Sequence, residues 1–278
     1  MKKIDERVFY DGKFTKIIED LSSSKNLLKR FFYKFSITQT RNRTFNKLIK
    51  NSTNSLVLDL GCGGGRGIIK KKGKVIGVDI SFTSLKNTNK LYEHSVLANI
   101  KNLPFKDNAF DVVASFDVLG HIQHNDKDQV LKEIRRVLKY NGKTIHFIET
   151  ESNSELFKFA KRYPELYNKY FIEQDGHFGL ESPSEVVKRF EKLFKILAFN
   201  GLYFNIWPPE EYVKRFDNKY KQKSVLAKIL VIFGKIAKLN NVVYGICCFY
   251  LSLLQIFEPK KFNNSSLIYV YATKETIK

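Results

Sequence analysis

Short apolar runs separated by amphipathic stretches set the pattern in the middle of the chain. Residues 57–60, 74–80, 109–116 and 143–150 predict the first, second, fourth and fifth strands, and residues 98–100 predict the end of the third. Strands that alternate with helical stretches are typical of a parallel sheet covered by helices. The pattern therefore predicts an α/β fold.

Helical periodicity fills the gaps between these strands. Residues 86–97 predict one helix, and residues 129–138 predict an amphipathic helix that stops at Gly142. Ser182 and Pro183 supply a cap and a first-turn proline for a later helix. Two further strands are expected within residues 193–204 and 266–273.

The stretch from Gly61 to Gly67 joins the first strand to the next helix, and five of its seven residues are glycine. A strand, a glycine turn and a helix N-terminus let backbone approach a ligand closely. The second strand then ends in an acid, Asp79. An acid in this place can accept hydrogen bonds from ribose hydroxyls, so the layout predicts a nucleoside-binding βαβ unit.

Glycine spacing distinguishes between cofactor classes. A dinucleotide fingerprint fails because Arg66 occupies its sixth position, and a phosphate-binding P-loop sequence is absent. The spacing fits acid-x-Gly-x-Gly-x-Gly, with Asp59, Gly61, Gly63 and Gly65. This stretch resembles motif I of the class I S-adenosylmethionine (SAM) methyltransferases. The alternative is a glycine-rich loop in another α/β protein.

The resemblance covers residues 55–150, and more weakly 182–204 and 266–273. It implies a single domain, residues 1–278, with a doubly wound, seven-stranded, mostly parallel sheet that ends in an antiparallel hairpin. Four segments are expected in that domain. They are an N-terminal helical cap (1–50), a SAM-binding core (51–204), a helical insertion before the last strand (205–264), and the last strand with a tail (265–278).

Cofactor-binding positions follow from the same resemblance. Asp79 is expected to bind the ribose and Phe116 to lie near the methionine part, while Asn99 occupies a place where the family usually has an acid that bonds the adenine. An asparagine carbonyl oxygen can accept that bond. The full set expected to bind SAM is Asp59, Gly61, Cys62, Gly63, Gly65, Asp79, Ile80, Asn99, Ile100 and Phe116.

Proton removal from an oxygen acceptor calls for an imidazole or a carboxylate. His121 matches a histidine common in small-molecule members of the family, and His177 is the second candidate base. Glu149 and Glu173 are weaker candidates, and His124 has no such match. The three cysteines show no ligand spacing, so no metal site is predicted.

Charge is strongly unbalanced, with 48 Lys and Arg against 28 Asp and Glu. Residues 21–58 contain eight bases and no acid. A field of this sign attracts nucleic acid, an anionic membrane or a phosphorylated substrate, although a lysine-rich proteome would give the same excess. Residues 116–119 lack the Asn/Asp-Pro-Pro-aromatic motif of enzymes that methylate base amines, so nucleic acid is the less favoured partner.

Two segments carry the surface hypotheses. Residues 26–35 predict a helix with Leu27, Phe31 and Phe35 on one line, either packed over the cofactor domain or serving as a lid that also meets substrate or membrane. In the insertion, residues 225–239 predict a helix with a narrow lysine face, and residues 242–257 carry no charge. The lysines on that face are Lys228, Lys235 and Lys238.

Sixteen uncharged residues fall short of the roughly 20 that span a bilayer. Burial against the core, insertion at a membrane surface and dimerisation all fit the pattern, and it leaves the oligomeric state open. The N-terminal ten residues are charged and lack the apolar segment of a secretory signal, so a cytoplasmic protein is expected. Peripheral binding at the inner membrane is the expectation that follows from the insertion. The hypothesis is a SAM methyltransferase acting on a small or lipid-linked acceptor. The alternatives are an RNA methyltransferase and a non-catalytic SAM-binding partner subunit.

Overall fold

The computed structural model describes residues 6–275, so residues 1–5 of the predicted cap and 276–278 of the predicted tail lie outside it. The helices and strands of the described chain have the following bounds in sequence order. They are α1 (Glu6–Tyr10), α2 (Leu27–Phe35), α3 (Thr40–Leu48), β1 (Leu56–Leu60), α4 (Gly67–Lys70), β2 (Lys74–Asp79), α5 (Phe82–Thr88), β3 (His94–Leu97), β4 (Phe110–Phe116), α6 (His124–Val137), β5 (Leu138–Glu149), α7 (Glu155–Lys161), α8 (Pro164–Tyr167), α9 (Pro183–Glu191), β6 (Lys195–Tyr203), α10 (Pro209–Phe216), α11 (Tyr220–Lys223), α12 (Val225–Ala237), α13 (Asn241–Phe257) and β7 (Leu267–Thr273).

One seven-stranded sheet organises the molecule, in the order β3-β2-β1-β4-β5-β7-β6. The pairs from β3 to β5 are parallel, whereas β7 runs antiparallel to both β5 and β6. The order reverses between β1 and β4, and ligands of such sheets bind beyond the carboxyl ends of the strands at that point. The predicted doubly wound fold is confirmed, including the antiparallel hairpin at the sheet edge.

Alternate residues of the central strands face two separate cores. Leu58 and Leu60 of β1 pack with α6 and α9, while Val57 of the same strand packs with α3, α4 and α5. Successive side chains of a strand point to opposite faces of the sheet, so helices cover both of its faces. This sandwich holds β1 and β4 rigidly at the edge where the site lies.

A third core belongs mainly to the insertion. Trp207, Phe216 and Tyr220 pack with Phe171 from the segment before α9 and with Ala227 from α12. Aromatic rings dominate this cluster, and several neighbouring pairs are edge-on or stacked. The insertion therefore has its own hydrophobic core, joined to the sheet through β6 and β7.

Residues 86–97 were predicted as one helix, and this prediction is wrong. The helix α5 ends at Thr88, and His94–Leu97 forms the third strand, paired with β2. A two-residue alternation over only four residues is too short to stand out from a helical pattern. Residues 98–100 therefore follow the third strand.

The expected helix stop at Gly142 is also placed too late. The helix α6 starts at His124 and ends at Val137, and β5 begins at Leu138. Asn141, with a φ of 60°, turns the chain inside the irregular start of β5. The Asn-Gly pair is thus a bend within the strand segment rather than a helix terminus.

The helix α2 does not pack over the cofactor domain. None of its residues is buried, and Phe31 and Phe35 contact Phe249 of α13 instead. The part of the N-terminal segment that lies over the sheet edge is the non-helical stretch of residues 11–20. Among residues 6–275, no helix combines the length and apolar character needed to cross a bilayer.

Candidate functional site

Three glycines shape the turn after β1. Gly61, Gly63 and Gly65 have φ values of 64°, 52° and 88°, which favour glycine strongly. The turn is held by backbone bonds from Cys62 N to Val78 O and from Gly65 N to Cys62 O, each 2.9 Å long. The loop is therefore a fixed backbone cradle at the carboxyl end of β1.

The N-terminal segment closes over this cradle. Ile18 N donates to Gly65 O at 2.9 Å, and Gly67 N donates to Ile18 O at 2.8 Å, forming a short parallel bridge. A Cβ added at Gly63 would lie 2.9 Å from Phe14 O, and one added at Gly64 would lie 2.1 Å from Thr15 O. The glycines thus admit the chain's own backbone as well as leaving room for a ligand.

Asp79 lies at the carboxyl end of β2 beside the cradle. Its Oδ2 accepts from Gly63 N at 2.8 Å, and its Oδ1 accepts from Ser81 N at 2.9 Å. Burial raises the pKa of this carboxyl, while the backbone bonds favour its charged form. Each oxygen keeps a second lone pair, so the carboxylate can still accept from a diol in the cavity.

Asp59 lies beneath the cradle and does not line the cavity. Tyr92 Oη donates to its Oδ2 at 2.7 Å, and Arg66 N donates to the same hydroxyl at 2.7 Å. Burial raises the pKa of Asp59 to about 7. The acid of the motif acts here through Tyr92 on the loop backbone rather than facing a ligand.

A cavity of about 920 Å³ opens at this edge of the sheet. It is lined by every residue predicted to bind SAM except Asp59, and also by His121 and His177. The adenine candidates lie beyond the end of β3, where Asn99 is exposed and Ile100 is buried. The residues predicted to bind SAM, apart from Asp59, and the residues predicted to act as the base therefore line one cavity.

An acid that sequence reasoning passed over lies at the centre of the cavity wall. Asp117 follows β4 with a φ of 60°, forms an ion pair with Arg41, and lies 3.7 Å from Arg66. The Arg66 guanidinium stacks on Phe116 at 4.4 Å from the ring centre. Burial raises the pKa of Asp117, and the charges of the two arginines counter this effect only in part. Its Oδ1 is buried without a hydrogen-bond partner among the described residues.

Two signals could have pointed to these residues. Arg41 belongs to the acid-free basic stretch, and Arg66 occupies the position at which the dinucleotide spacing fails. The structure brings both to the acid after β4, although 76 residues separate Arg41 from Asp117. The contact depends on the packing of α3 against the end of β4, which no local sequence pattern predicts.

His121, Glu149 and His177 meet on the wall of the same cavity. His121 follows β4, Glu149 ends β5, and His177 lies in the loop before α9. Glu149 Oε1 lies 4.0 Å from His121 Nε2 and 3.7 Å from His177 Nε2. Burial would raise the pKa of Glu149, but the two imidazoles lower it to about 2, whereas burial lowers the pKa of His121.

The remaining candidates lie elsewhere. His124 is exposed at the start of α6, 3.4 Å from Glu181, and Glu173 does not line the cavity. On the wall formed by α10, Lys214 and Arg215 both pair with Asp175, at 2.8 and 2.9 Å. The base candidates are thereby reduced to the cluster of His121, Glu149 and His177.

Comparison with known proteins agrees with this geometry. The family model described as a methyltransferase domain matches residues 58–146, which hold the glycine loop, Asp79 and His121. A demethylmenaquinone methyltransferase of Lactiplantibacillus plantarum is 33% identical over 177 residues, which cover 55% of this chain and 73% of that enzyme. The uncharacterised protein MJ0638 of Methanocaldococcus jannaschii is 38% identical over 160 residues, or 57% of this chain. That alignment spans 63% of the archaeal protein, so this chain matches less than two thirds of its length.

A solved structure extends the likeness of fold over almost the whole chain. Phosphoethanolamine N-methyltransferase 2 of Haemonchus contortus, in complex with phosphomonomethylethanolamine and S-adenosylhomocysteine, superposes with a TM-score of 0.57. The superposition covers 99% of this chain and 62% of that protein at 18% sequence identity. At this identity the likeness concerns the fold alone.

Proposed function

Because the chain belongs to the class I SAM-dependent methyltransferases, we propose that it transfers a methyl group from SAM to a small, lipid-linked acceptor at an anionic membrane surface. The observation that carries the proposal is a single cavity lined by both a nucleoside cradle and an acid–base cluster. Part of the cavity wall belongs to the insertion, whose outer helices expose apolar side chains.

At the cradle end, Asp79 would accept the ribose hydroxyls, and the turn at Gly61–Gly65 would contact the cofactor through backbone. Asn99 and Ile100 would meet the adenine. Phe116, held between Arg66 and Phe147, would lie near the methionine part. Charge-assisted bonds from hydroxyls to a carboxylate are among the stronger hydrogen bonds in proteins, so Asp79 should dominate recognition of the nucleoside.

At the cluster end, an acceptor oxygen would attack the methyl carbon while the carbon–sulfur bond breaks. The sulfur takes the electron pair and leaves as S-adenosylhomocysteine, and the acceptor's proton passes to His121 or His177. The negative charge of Glu149 would stabilise the resulting imidazolium. SAM is already activated, so most of the rate gain would come from holding the acceptor in line.

The helix α12 supports the membrane part of the proposal because its surface has three sectors. Its inner side is formed by the buried residues Ala227, Val231, Gly234 and Ala237. On its outer side a row of exposed apolar residues, spaced three or four apart, runs through Val225, Ile229, Ile232 and Ile236 and continues at Leu239 just beyond the helix. The exposed Lys228 and Lys235 project between the two sectors, and Lys235 also pairs with Asp217 at 2.8 Å. This is the arrangement of an interfacial helix, with lysines at the edge of an apolar stripe.

The helices α13 and α2 repeat the pattern beside it. In α13 the exposed stripe runs through Val242, Ile246, Tyr250, Leu253 and Phe257, the last of which is 82% exposed. In α2, Leu27 is 78% exposed. None of the three helices contains an acidic residue. An apolar and basic surface of this kind fits anionic lipid head groups better than it fits another copy of the same positive surface.

An RNA acceptor has less support. Arg41 and Arg66 at the cavity are engaged by Asp117, and Lys214 and Arg215 by Asp175. Cations that already have carboxylate partners release fewer counterions on binding a phosphate backbone. The alternative of a non-catalytic partner subunit predicts tight SAM binding with no methyl transfer to any cell fraction.

The membrane part is tested with vesicles. Replacing Lys228, Lys235 and Lys238 by glutamate reverses the charge along the stripe, and each lysine is expected to contribute on the order of 1 kcal/mol on an anionic surface. We expect the wild-type protein to sediment with phosphatidylglycerol vesicles and less with phosphatidylcholine ones. The variant should stay in the supernatant while binding SAM normally.

A matched control separates this patch from the overall charge. Lys106, Lys132 and Lys192 are exposed and lie outside the insertion, and their replacement by glutamate makes the same change in net charge. This control should still sediment. Equal loss in both triple variants, or no sedimentation of the wild type, would remove the membrane surface from the proposal.

The chemical part needs a separate assay. The protein is incubated with methyl-labelled SAM and, in parallel, with the lipid, RNA and protein fractions of cells. Label is expected in the lipid fraction. No label is expected when the protein is first incubated with an excess of S-adenosylhomocysteine, which occupies the SAM site. Label in RNA alone would favour the alternative acceptor, and tight SAM binding without label in any fraction would favour the partner subunit.

A further inference from the structure

The cluster of His121, Glu149 and His177 has the composition of a metal site. The three side chains each offer one ligand atom, and these atoms all lie within 4.8 Å of one another. A divalent cation bound at about 2.1 Å from each atom sets ligand separations of about 3–4 Å. The observed Nε2–Oε1 distances of 4.0 and 3.7 Å are thus within a small side-chain movement of that geometry.

The hydrogen bonds behind the two imidazoles fix which nitrogen faces the centre. His121 Nδ1 lies 3.0 Å from Gly176 O, and His177 Nδ1 lies 3.1 Å from Phe171 O. A carbonyl oxygen only accepts, so both Nδ1 atoms must carry the proton. In neutral imidazoles the Nε2 atoms then present lone pairs toward Glu149. Metal-bound histidines are held in this way, with the second ring N–H donated to a carbonyl or carboxylate.

Two lone pairs and a carboxylate repel one another unless a proton or a metal ion lies between them. Glu149 Oε2 is buried and has no hydrogen-bond partner among residues 6–275. The cluster borders the large cavity, so an ion held there would have open coordination positions on the cavity side. A buried carboxylate oxygen without a hydrogen-bond partner calls for an explanation, and a bound ion would supply one.

We propose that His121, Glu149 and His177 bind a divalent transition-metal ion through His121 Nε2, His177 Nε2 and Glu149. Two imidazoles with one carboxylate and open positions suit Zn²⁺ or Fe²⁺, whereas Mg²⁺ prefers an all-oxygen set. Successive ligands are 28 positions apart along the chain, after β4, at the end of β5 and in the loop before α9. No short spacing motif therefore identifies them in the sequence.

This site deepens the proposed function, on which its catalytic consequence rests. A cation that occupies both Nε2 atoms would take over from the imidazoles in lowering the pKa of the acceptor hydroxyl. The acceptor's proton would then leave to solvent, and its oxygen would bind the ion before attacking the methyl carbon. Binding of the ion itself requires neither SAM nor acceptor and can be measured without them.

The test titrates the chelator-treated, untagged protein with Zn²⁺ by calorimetry and with Co²⁺ by visible absorption. We expect one Zn²⁺ per chain and cobalt bands typical of mixed nitrogen and oxygen ligands. His177→Ala should weaken Zn²⁺ binding by more than about 100-fold, because the loss of a ligand exceeds the 10–100-fold effect of outer-shell changes. Glu149→Gln, which preserves shape, should weaken it as well.

His124→Ala is the control, since it removes an exposed histidine outside the cavity. It should bind Zn²⁺ like the wild type. Stoichiometry below one, or equal Zn²⁺ affinity in wild type, His177→Ala and Glu149→Gln, would overturn the proposal and leave a shared proton as the occupant. SAM affinity is measured on the same samples without metal. Lost Zn²⁺ binding with intact SAM binding then separates failure at this site from failure of the methyltransferase proposal.

Discussion

In the loop at residues 61–67 other parts of the chain pack directly against the backbone, whereas in α12 a row of branched apolar side chains lies on the outside. A Cβ at Gly64 would lie 2.1 Å from the carbonyl oxygen of Thr15, so this position tolerates no side chain at all. In α12 the close approach is made by Gly234, whose added Cβ would lie 2.6 Å from Pro209 O, while Ile232 is 58% exposed. Both regions use glycine for close contact, but only α12 also carries a row of exposed apolar side chains.

The difference shows that an apolar residue type predicts burial inside the protein only where the protein surface meets water. In the sheet, apolar residues are inside because water surrounds the domain. In α12 the inner side is buried around Val231 and Gly234, yet the outer side also carries large apolar residues, which is the pattern of a helix whose outer side meets something apolar. Substitutions in the loop should affect SAM binding, whereas substitutions on the outer side of α12 should affect vesicle binding. Four predictions follow, in the cofactor site and in α12.

The largest effect is expected at Gly63. Gly63→Val places a branched side chain at a φ of 52° and 2.9 Å from Phe14 O, so the N-terminal segment must leave the loop. We expect SAM affinity to fall beyond the range of calorimetry while the far-ultraviolet circular dichroism is retained. Gly12→Val is the control, because Gly12 has a φ of 76° but no neighbour within 4 Å of an added Cβ. Normal SAM affinity in Gly63→Val would reduce the loop to a simple turn.

A smaller loss is expected at Asp79. Asp79→Ala should weaken SAM by about 2 kcal/mol, or roughly 30-fold, which is the scale of hydrogen bonds to a charged group. Calorimetry against SAM measures this directly. Asp126→Ala, at a surface ion pair with Lys101, should leave the affinity unchanged. A folded Asp79→Ala protein with wild-type affinity would contradict the assignment of the ribose acid.

The buried acid under the loop should make stability depend on pH. The pKa of Asp59 is about 7 in the folded chain and near 4 when unfolded, so the folded state binds more protons between these values. Its contribution to stability is therefore greatest below pH 4 and is lost as pH rises to 7. Asp59→Asn, which can still accept from Tyr92, should raise the free energy of unfolding at pH 8 by on the order of 1–2 kcal/mol. Urea unfolding at pH 5 and pH 8 checks the sign, and a gain at pH 5 only would contradict it.

The smallest effect is expected at the exposed stripe. Ile232→Ser removes an apolar side chain from solvent, so the free energy of unfolding should change little, while binding to anionic vesicles should weaken by about 1 kcal/mol, or fivefold. Leu197→Ser, at an exposed position of β6, is the matched control and should bind vesicles normally. If Ile232→Ser destabilises the protein instead, α12 packs against another part of the chain in solution, and the contrast with the loop disappears.

The sequence predicted the sheet well because apolar runs and the glycine turn are local signals. It failed at residues 86–97, where β3 is only four residues long and partly exposed. The cofactor end of the site was also visible, since Gly61 to Gly65 and Asp79 lie within one βαβ unit. The role of Asp59 beneath the loop was not, because it depends on Tyr92, which is 33 residues away.

The other end of the site was only half visible. His121 and His177 were named individually, but their meeting with Glu149 depends on β4 and β5 being neighbours and on the fold of the loop before α9. The pairing of Arg41 with Asp117 likewise follows from the packing of α3 against the end of β4 rather than from any spacing. Contacts between distant segments carry no local periodicity, so residue patterns alone do not predict them.

The bridge between Ile18 and Arg66 has a further consequence for the timing of turnover. Phe14, Thr15 and Ile18 line the cavity together with the glycine turn, so we expect a nucleoside bound between them to leave faster once this segment detaches. Loss of the two bridging bonds would then limit the rate at which spent cofactor is exchanged for fresh. A bound ligand should in turn shield residues 14–18 from proteases. The rate of cleavage in this segment would therefore measure how long the cofactor stays bound.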